Sequence, residues 1–584
     1  MRHRRSSQKR DLRIETFRWF LVVFASVIGL KLFVLQVLDH EFYQALASGQ
    51  HEMLSQLIPE RGTVYMHDYK DERLVPVATN QQLAFVYADP RQVDDPETTA
   101  KEIADVFGYS EEKTVSLQQR LDQPEDPYEP IEKEVPDAVL DRLLAKELSG
   151  IHYIREAVRL YPEPSMSGHV IGFLGSDSDG KKTGKYGIEG YFNELLAGTS
   201  GELRSERDIA GRLIAVADRS LEPAIDGADV VLTIDRTIQY KACTALKDAV
   251  NKHGADGGSV VIVEPSTGKI LAMCGFPDFD PNQYSDVDSI NQFNNPAIFD
   301  AYEPGSIFKP LTMAAAVDVD AVSASTRFED LGSVMVEGWS KPLGNAEGKV
   351  YGNVDMTQVL EDSINTGMVF AMRQMGQETF TEYVKRFGFG QPTGIELETE
   401  MPGNIVAMDK QSEIYKATAS FGQGITVTPL QIVMAYAALA NGGILKKPLI
   451  IDEVRYQDGT VEKQAPQDVA QVVSEKTART LGAMLVSVIE HGHGKKAAVP
   501  GYYIGGKTGT AQVARTDGIG YSLDNTIGSF AGFGPVEDPK FAMIVRIDHP
   551  RDVVWAESTA APLFGDIAQF LLQYFEVPPV RKIE

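Results

Sequence analysis

Three short clusters in this chain hold residue types suited to acyl transfer through a serine: Ser306 with Lys309, Ser363 with Asn365, and Lys507 followed by Thr508, Gly509 and Thr510. A serine hydroxyl is a poor nucleophile until a neighbouring base takes its proton. A lysine serves as that base once desolvation and nearby positive charge depress its pKa, and Lys507 is a candidate source of that charge. In such a site Ser363 relays a proton and Asn365 holds both Lys309 and a substrate amide. Lys507, Thr508 and Thr510 bind an anionic substrate terminus. The backbone N–H groups of Ser306 and Thr510 are the expected oxyanion donors, and losing one such donor typically costs about 3 to 4 kcal/mol.

Each cluster alone is weak, because the same patterns recur elsewhere. Ser-x-x-Lys also starts at Ser6, Ser110, Ser178 and Ser266, Ser-x-Asn also at Ser289, and Lys-Thr-Gly also at Lys182. Context discriminates between them. Ser6 lies in a basic tail, Ser110 in a charged stretch that reads as a helix cap, Ser178 in a Gly/Asp-rich loop and Ser266 in a hairpin turn. Only Ser306 follows a Pro-Gly stop and opens an apolar helix, where residues i and i+3 share a face. Lys507 alone is followed by Thr510 within an apolar strand pattern.

The elements that must position these residues are legible around them. Ala228 to Asp235 reads as a strand ending at a helix cap, and the segment from Thr237 to Val250 as an amphipathic helix. Ser259 to Met273 is two apolar runs about a Pro-Ser-Thr-Gly turn, a β-hairpin. Helices are expected from about Ser306 through Val317 and over Gln431 to Ala440. Gly501 to Ala514, Thr526 to Gly534 and Lys540 to Asp548 read as successive strands, which predicts an α+β domain with an antiparallel sheet flanked by helices.

A chain of 584 residues is about four times the ~150 expected per domain, so several units are expected. Formal charge is −26, which argues against a broad nucleic-acid-binding face. The asymmetry is informative: the first 18 residues carry seven basic against two acidic side chains. The apolar run Trp19 to Leu38 follows directly and has the ~20 residues of a membrane helix, oriented with its N-terminus inside. Lys31 lies past the midpoint, within snorkelling reach of the outer interface. The alternative is a cleaved signal peptide with Ala45-Leu46-Ala47 as its cleavage site, but the apolar run is long for that and ends well before it. Only Cys243 and Cys274 occur, which excludes a disulfide-rich scaffold; spacing does not decide whether they pair, and Cys274 reads as a small buried hydrophobe. By texture the chain divides into a basic cytoplasmic tail (1–18), an anchor (19–38), a turn-rich support region (39–225) and a regular domain (226–584). His491 and His493 read as a solvated loop without further metal ligands, and Glu125 to Glu129 as a solvated acidic loop.

The order Ser-x-x-Lys, Ser-x-Asn, Lys-Thr-Gly is the signature of penicillin-binding proteins and class A β-lactamases. The chain resembles the class B penicillin-binding proteins, most closely the division type, through Tyr302 to Pro310, Leu232 to Asp235, Phe276 to Asn282, Phe387 to Ile395, Ser420 to Gln431 and Ser529 to Pro535. The support region is similar to the family's pedestal, or dimerisation, domain at Glu60 to Asp68, Arg159 to Pro164, Gly187 to Gly198 and Arg207 to Arg212. The resemblance implies a single membrane helix, an extended pedestal and a β-lactamase-like transpeptidase domain outside the cell or in the periplasm. It implies a D,D-transpeptidase of peptidoglycan in which Ser306 attacks the penultimate D-alanine of a stem peptide, with β-lactams acylating the same serine. No cofactor or metal is implied. The expected partners are stem peptides, the membrane, a multi-pass glycan polymerase and other division proteins, since no glycosyltransferase domain precedes the pedestal. Ile364 stands where β-lactamases carry aspartate, as is usual for this class. The alternatives are an elongation-type enzyme, a catalytically quiet division scaffold, and a β-lactamase or β-lactam sensor. The intact serines and lysines argue against the scaffold, and the long pedestal against the lactamase.

Overall fold

The computed structural model describes Trp19 and residues 59–164, 166–204, 220–514 and 521–581. The basic tail and all of the expected anchor except Trp19 lie outside the described residues. Among the described residues no helix is long and apolar enough to cross a membrane.

The chain forms two compact units, one containing Leu83–Glu156 and Gly198–Asp226, the other containing Arg61–Gln82, Ala157–Ala197 and Gly227–Glu584. The first is a small α+β unit. Its strand segment around Ala84 to Ala88 pairs antiparallel with Glu129–Val135. Helices Pro96–Phe107 and Glu111–Leu121 lay Ile103, Leu117 and Leu121 into a core with Val86 and Ile131. Ser110 caps the second helix by accepting the N–H of Lys113 at 3.3 Å, the capping role its sequence context indicates.

The second unit joins segments that texture separates at 225/226. Val64, Tyr161, Ile188 and Leu196 share one core with Val230 and Leu232, so compactness groups 61–82 and 157–197 with the C-terminal part of the chain. A buried ion cluster ties them together. Glu189 is fully buried and accepts the Nε–H of Arg61 at 2.6 Å and of Arg159 at 2.7 Å. Arg159 also donates to Asn80 at 3.1 Å, and Asn80 donates to the Arg61 carbonyl at 2.6 Å. Three of the pedestal-like motifs, through Arg61, Arg159 and Glu189, thus converge on one set of charges, and Arg207 to Arg212 lies outside the described residues.

Helix α1 (Arg236–His253) begins at Asp235, whose carboxylate accepts the Ile238 N–H at 2.8 Å. It is followed by the hairpin β1 (Gly257–Val263) and β2 (Ile270–Phe276). Helices α2 (Lys309–Asp318), α3 (Asn365–Met375) and α4 (Pro429–Ala440) come next. Strands β3 (Gly505–Ala514), β4 (Tyr521–Gly534) and β5 (Phe541–Asp548) and helix α5 (Ala560–Tyr574) complete the unit. The strands form one antiparallel sheet in the order β2-β1-β5-β4-β3, which leaves β3 at an edge.

Both faces of this sheet are covered, and the period-2 alternation of strands assigns each side chain to a face. Val261, Val263, Ala542 and Ile544 join the core that contains α4, whereas Val260, Ile262, Met543 and Val545 join the core of α1 and α5. Helix α4 is apolar apart from Gln431 and the Tyr436 hydroxyl and is wholly enclosed apart from its last residue, as such a helix must be.

Cys243 on α1 and Cys274 on β2 form a disulfide, with Cα atoms 5.3 Å apart. The bond decides the pairing that spacing leaves open. The residue is buried, but α1 packs on the hairpin so that the two sulfurs meet, a proximity set by packing and invisible in the 31-residue separation.

Candidate active site

Ser306 lies in a single 3-10 turn, Gly305–Phe308, that runs directly into α2 at Lys309. The α-helix therefore starts three residues later than its apolar pattern suggests. Because residues i and i+3 eclipse in 3-10 geometry, Ser306 and Lys309 still share a face. Gly305 adopts φ +56° and donates its N–H to the carbonyl of Gly422 at 3.0 Å. A Cβ on Gly422, itself at φ +81°, would stand 2.1 Å from the Gly305 carbonyl oxygen. Tyr302 and Val427 exchange two backbone hydrogen bonds of 3.0 and 2.9 Å, and the Tyr436 hydroxyl donates to the Ile307 carbonyl at 2.8 Å. The segment 420–427 thus seats the turn that carries Ser306, a role that no residue type in it announces; the glycines at 422 and 424 are the only hint of close backbone approach.

Lys309 is fully buried. Its Nζ lies 2.5 Å from the Ser363 carbonyl oxygen, 3.1 Å from Ser363 Oγ and 2.7 Å from Asn365 Oδ1. Among the described residues it makes no other hydrogen bond, and none to Ser306 Oγ. Ser363 is held at φ +57°, in the left-handed region that non-glycine residues rarely occupy, and Asn365 opens α3. Burial, and then the charge of Lys507, hold the Lys309 amine well below the ordinary lysine value. A neutral amine has two hydrogens and one lone pair. Donated to the carbonyl oxygens of Ser363 and Asn365, those hydrogens leave the lone pair free to accept a hydroxyl proton.

Lys507 on β3 is also buried, and burial alone pushes its amine down to about 7. Its Nζ donates to the carbonyl of Thr508 at 3.2 Å and lies 3.4 Å from Thr508 Oγ1, with no bond to Ser363. Strand β3 meets the turn that carries Ser306 at Gly509: a Cβ there would lie 2.9 Å from the Pro304 carbonyl oxygen, Ile307 Cγ2 and Ser529 Oγ. Thr510 Oγ1 accepts the Ala556 N–H at 3.2 Å. The structure therefore gathers Ser363 and Asn365 about the buried Lys309 amine, with Ser306 one 3-10 turn away and Lys507, Thr508, Gly509 and Thr510 along the adjacent sheet edge.

The competing motifs fall elsewhere. Lys182 to Gly184 form part of a short hairpin strand in which Gly184 N–H donates to Asn193 at 2.7 Å. Lys269 pairs with Asp452 at 2.7 Å, and Ser289 caps a 3-10 turn through the Asn291 N–H. His493 faces Glu557 at 3.5 Å, with both side chains partly exposed.

Residues 258–569 match the family model described as the penicillin binding protein transpeptidase domain, and residues 56–232 match the penicillin-binding protein dimerisation domain. The chain is 34% identical to stage V sporulation protein D of Bacillus subtilis over 96% of this chain and 85% of that protein. It is 30% identical to the peptidoglycan D,D-transpeptidase FtsI of Escherichia coli K12, over 86% of this chain and 82% of that one. Among solved structures, penicillin binding protein 3 from Mycobacterium tuberculosis, complexed with aztreonam, matches with a TM-score of 0.69 at 26% identity, covering 90% of this chain and 98% of that chain. A buried lysine bridging two serine motifs beside a Lys-Thr-Gly edge strand, on a sheet of this topology and with these relatives, leads to one conclusion: the chain belongs to the penicillin-binding protein transpeptidase family.

Proposed function

We propose that this chain is a serine D,D-transpeptidase that cross-links peptidoglycan stem peptides in septal wall synthesis and is a target of β-lactams. Ser306 Oγ attacks the penultimate D-alanine carbonyl carbon while the neutral Lys309 takes its proton. The peptide C–N bond then breaks, the terminal D-alanine leaves with a proton on its amine, and Ser306 carries the acyl group as an ester. An amine of a neighbouring stem attacks that ester, loses a proton to the site and restores the serine. A β-lactam follows the first step only: its opened ring keeps the leaving nitrogen tethered, so the ester persists. Ser363 relays the proton, Asn365 orients Lys309 and the substrate amide, and Lys507 with Thr508, Gly509 and Thr510 receives the terminal carboxylate. The N–H groups of Ser306 and Thr510 form the oxyanion hole.

The observation that carries this reading is the burial of the Lys309 amine against Ser363 and Asn365, one 3-10 turn from Ser306. The Cys243–Cys274 disulfide supports a catalytic unit outside the cytoplasm, since such bonds persist in oxidising compartments. Residues 19–38 serve as the single membrane anchor with the basic tail inside, and residues 39–225 as the pedestal that meets a multi-pass glycan polymerase and other division proteins. The test is acylation of the detergent-solubilised full chain by a fluorescent penicillin, read by gel and intact mass. One stable adduct, absent in Ser306→Ala, is expected; no adduct on folded wild-type protein would sink the reading. Depletion in cells should yield filaments, whereas rounded cells would assign the enzyme to elongation.

A further inference from the structure

Asp330 ends the short strand Arg327–Asp330 and is fully buried, yet no cation pairs with it among the described residues. Its charge is met by dipoles instead. Oδ1 accepts the Thr366 hydroxyl at 2.6 Å and the Gly332 N–H at 3.0 Å; Oδ2 accepts the Tyr351 N–H at 2.8 Å and the Asn345 side-chain amide at 2.9 Å. A buried carboxylate held by this many donors is a rigid, high-stakes element: every donor aimed at it is orphaned if it changes character.

Two of those donors lead to the active site. Asn345 Oδ1 accepts the backbone N–H of Thr366 at 3.1 Å, and the preceding residue, Gly344, accepts the Asn365 side-chain amide at 3.1 Å through its carbonyl. Asn365 then presents Oδ1 to Lys309 Nζ at 2.7 Å. The Asn365 side chain therefore has one possible assignment. Its NH2 group is committed to Gly344, which fixes its oxygen toward the lysine. Asp330 holds both sides of that arrangement: through Asn345 it sets the position of the 344–345 loop, and through Thr366 it sets the first turn of α3.

Resting on the reading of Lys309 as the base, we infer that Asp330 is a positioning residue of the acyl-transfer site, acting on Lys309 through Asn345, Thr366 and Asn365. It touches neither substrate nor the reacting atoms. Its effect is to fix the acceptor that receives one hydrogen of the neutral amine and so to aim the lone pair. An isosteric Asp330→Asn change places an NH2 group where only acceptors fit, facing the Thr366 hydroxyl, the Gly332 N–H or the Tyr351 N–H.

The test measures β-lactam acylation of the full chain at several drug concentrations, separating the maximal rate from the saturation constant, across pH. In folded Asp330→Asn the maximal rate should fall about 10- to 100-fold, the size expected when a reacting group is misplaced by a fraction of an ångström to an ångström. The saturation constant should stay within about threefold, and the acid limb of the pH profile should move, since the hydrogen-bond partner of Lys309 has moved. A merely structural residue would lower the fraction of labelled protein and leave the rate per competent molecule and the limb in place. The double variant Asp330→Asn with Asn365→Ala should be no slower than Asn365→Ala alone, because both changes break one path. Thr366→Val removes a single hydroxyl from the network and should slow acylation in the same direction, which keeps the inference testable if Asp330→Asn does not fold. An unchanged maximal rate in Asp330→Asn, or additive losses in the double variant, would overturn it. Wild-type protein that is not acylated would instead overturn the parent reading.

Discussion

The Lys309 amine sits 2.5 Å from the carbonyl oxygen of Ser363 and 3.1 Å from its hydroxyl, with Ser363 at φ +57°. One residue thus turns both its carbonyl and its hydroxyl toward the same nitrogen. Replacing Lys309 with Met removes the proposed base but fills the same buried volume. Acylation by penicillin should drop about 10³-fold or more, while the folded state should hold steady or gain on the order of 1 kcal/mol from no longer burying a potential charge. Stopped-flow acylation and thermal melts of the two proteins check both signs.

The two lysines give the rate a pH dependence with opposite limbs. Lys309 must be neutral to act, so acylation rises as pH climbs through its depressed pKa. Lys507 must be charged to attract a carboxylate, and burial brings it to about 7, so acylation by carboxylate-bearing penicillins falls above that pH. Lys507→Arg keeps its charge at any such pH and should shift the alkaline limb upward, measured as acylation rate against pH. Stability follows the opposite slope. Between about 7 and the ordinary lysine value of 10.5 the unfolded chain binds the proton that folded Lys507 has lost, so this residue makes stability rise with pH in that window. Urea unfolding of wild type and Lys507→Met, compared across it, isolates the contribution.

Gly422 packs directly against the turn that carries Ser306. A Cβ there would meet the Gly305 carbonyl oxygen at 2.1 Å, and the backbone at φ +81° penalises any side chain independently of space. Gly422→Ala should cost about 2 to 4 kcal/mol of stability and slow acylation by displacing Gly305 beside Ser306. Denaturant midpoints and single-turnover labelling read the two effects separately.

Glu189 is buried between Arg61 and Arg159, and removing one partner of a buried ion cluster leaves the others uncompensated. Glu189→Ala should destabilise the protein by about 3 to 5 kcal/mol, read by chemical unfolding, and leave the acylation rate of the surviving folded fraction unchanged.

The Cys243–Cys274 bridge closes a loop with a sequence separation of 31 residues. The paired Cys243→Ala and Cys274→Ala variant should lose about 2 to 4 kcal/mol without a change in acylation rate. Wild-type protein unfolded in reductant should shift by a comparable amount, and the double variant should not respond to reductant at all.

Local periodicity carried much of this reading. The alternation in Ser259 to Met273 predicts the hairpin that β1 and β2 form, and Asp235 caps α1 as its position before the amphipathic run implies. Immediate neighbours, a Pro-Gly stop and an apolar run, likewise set Ser306 apart from four competing Ser-x-x-Lys patterns. These features are encoded within a few residues because dihedral preferences and side-chain period act at that range. What tertiary structure alone decided acts across distance. Gly422 against Gly305, Asp330 beneath Asn365, and Arg61 with Arg159 about Glu189 join residues tens to more than a hundred positions apart, with nothing at either end to name the other. The same holds for the grouping of 61–82 and 157–197 with the acyl-transfer unit and for the meeting of Cys243 with Cys274. Residue type and spacing specify which groups can do the chemistry; close packing of a single core specifies which of them touch, because only there do volume, burial and hydrogen-bond satisfaction have to agree at once.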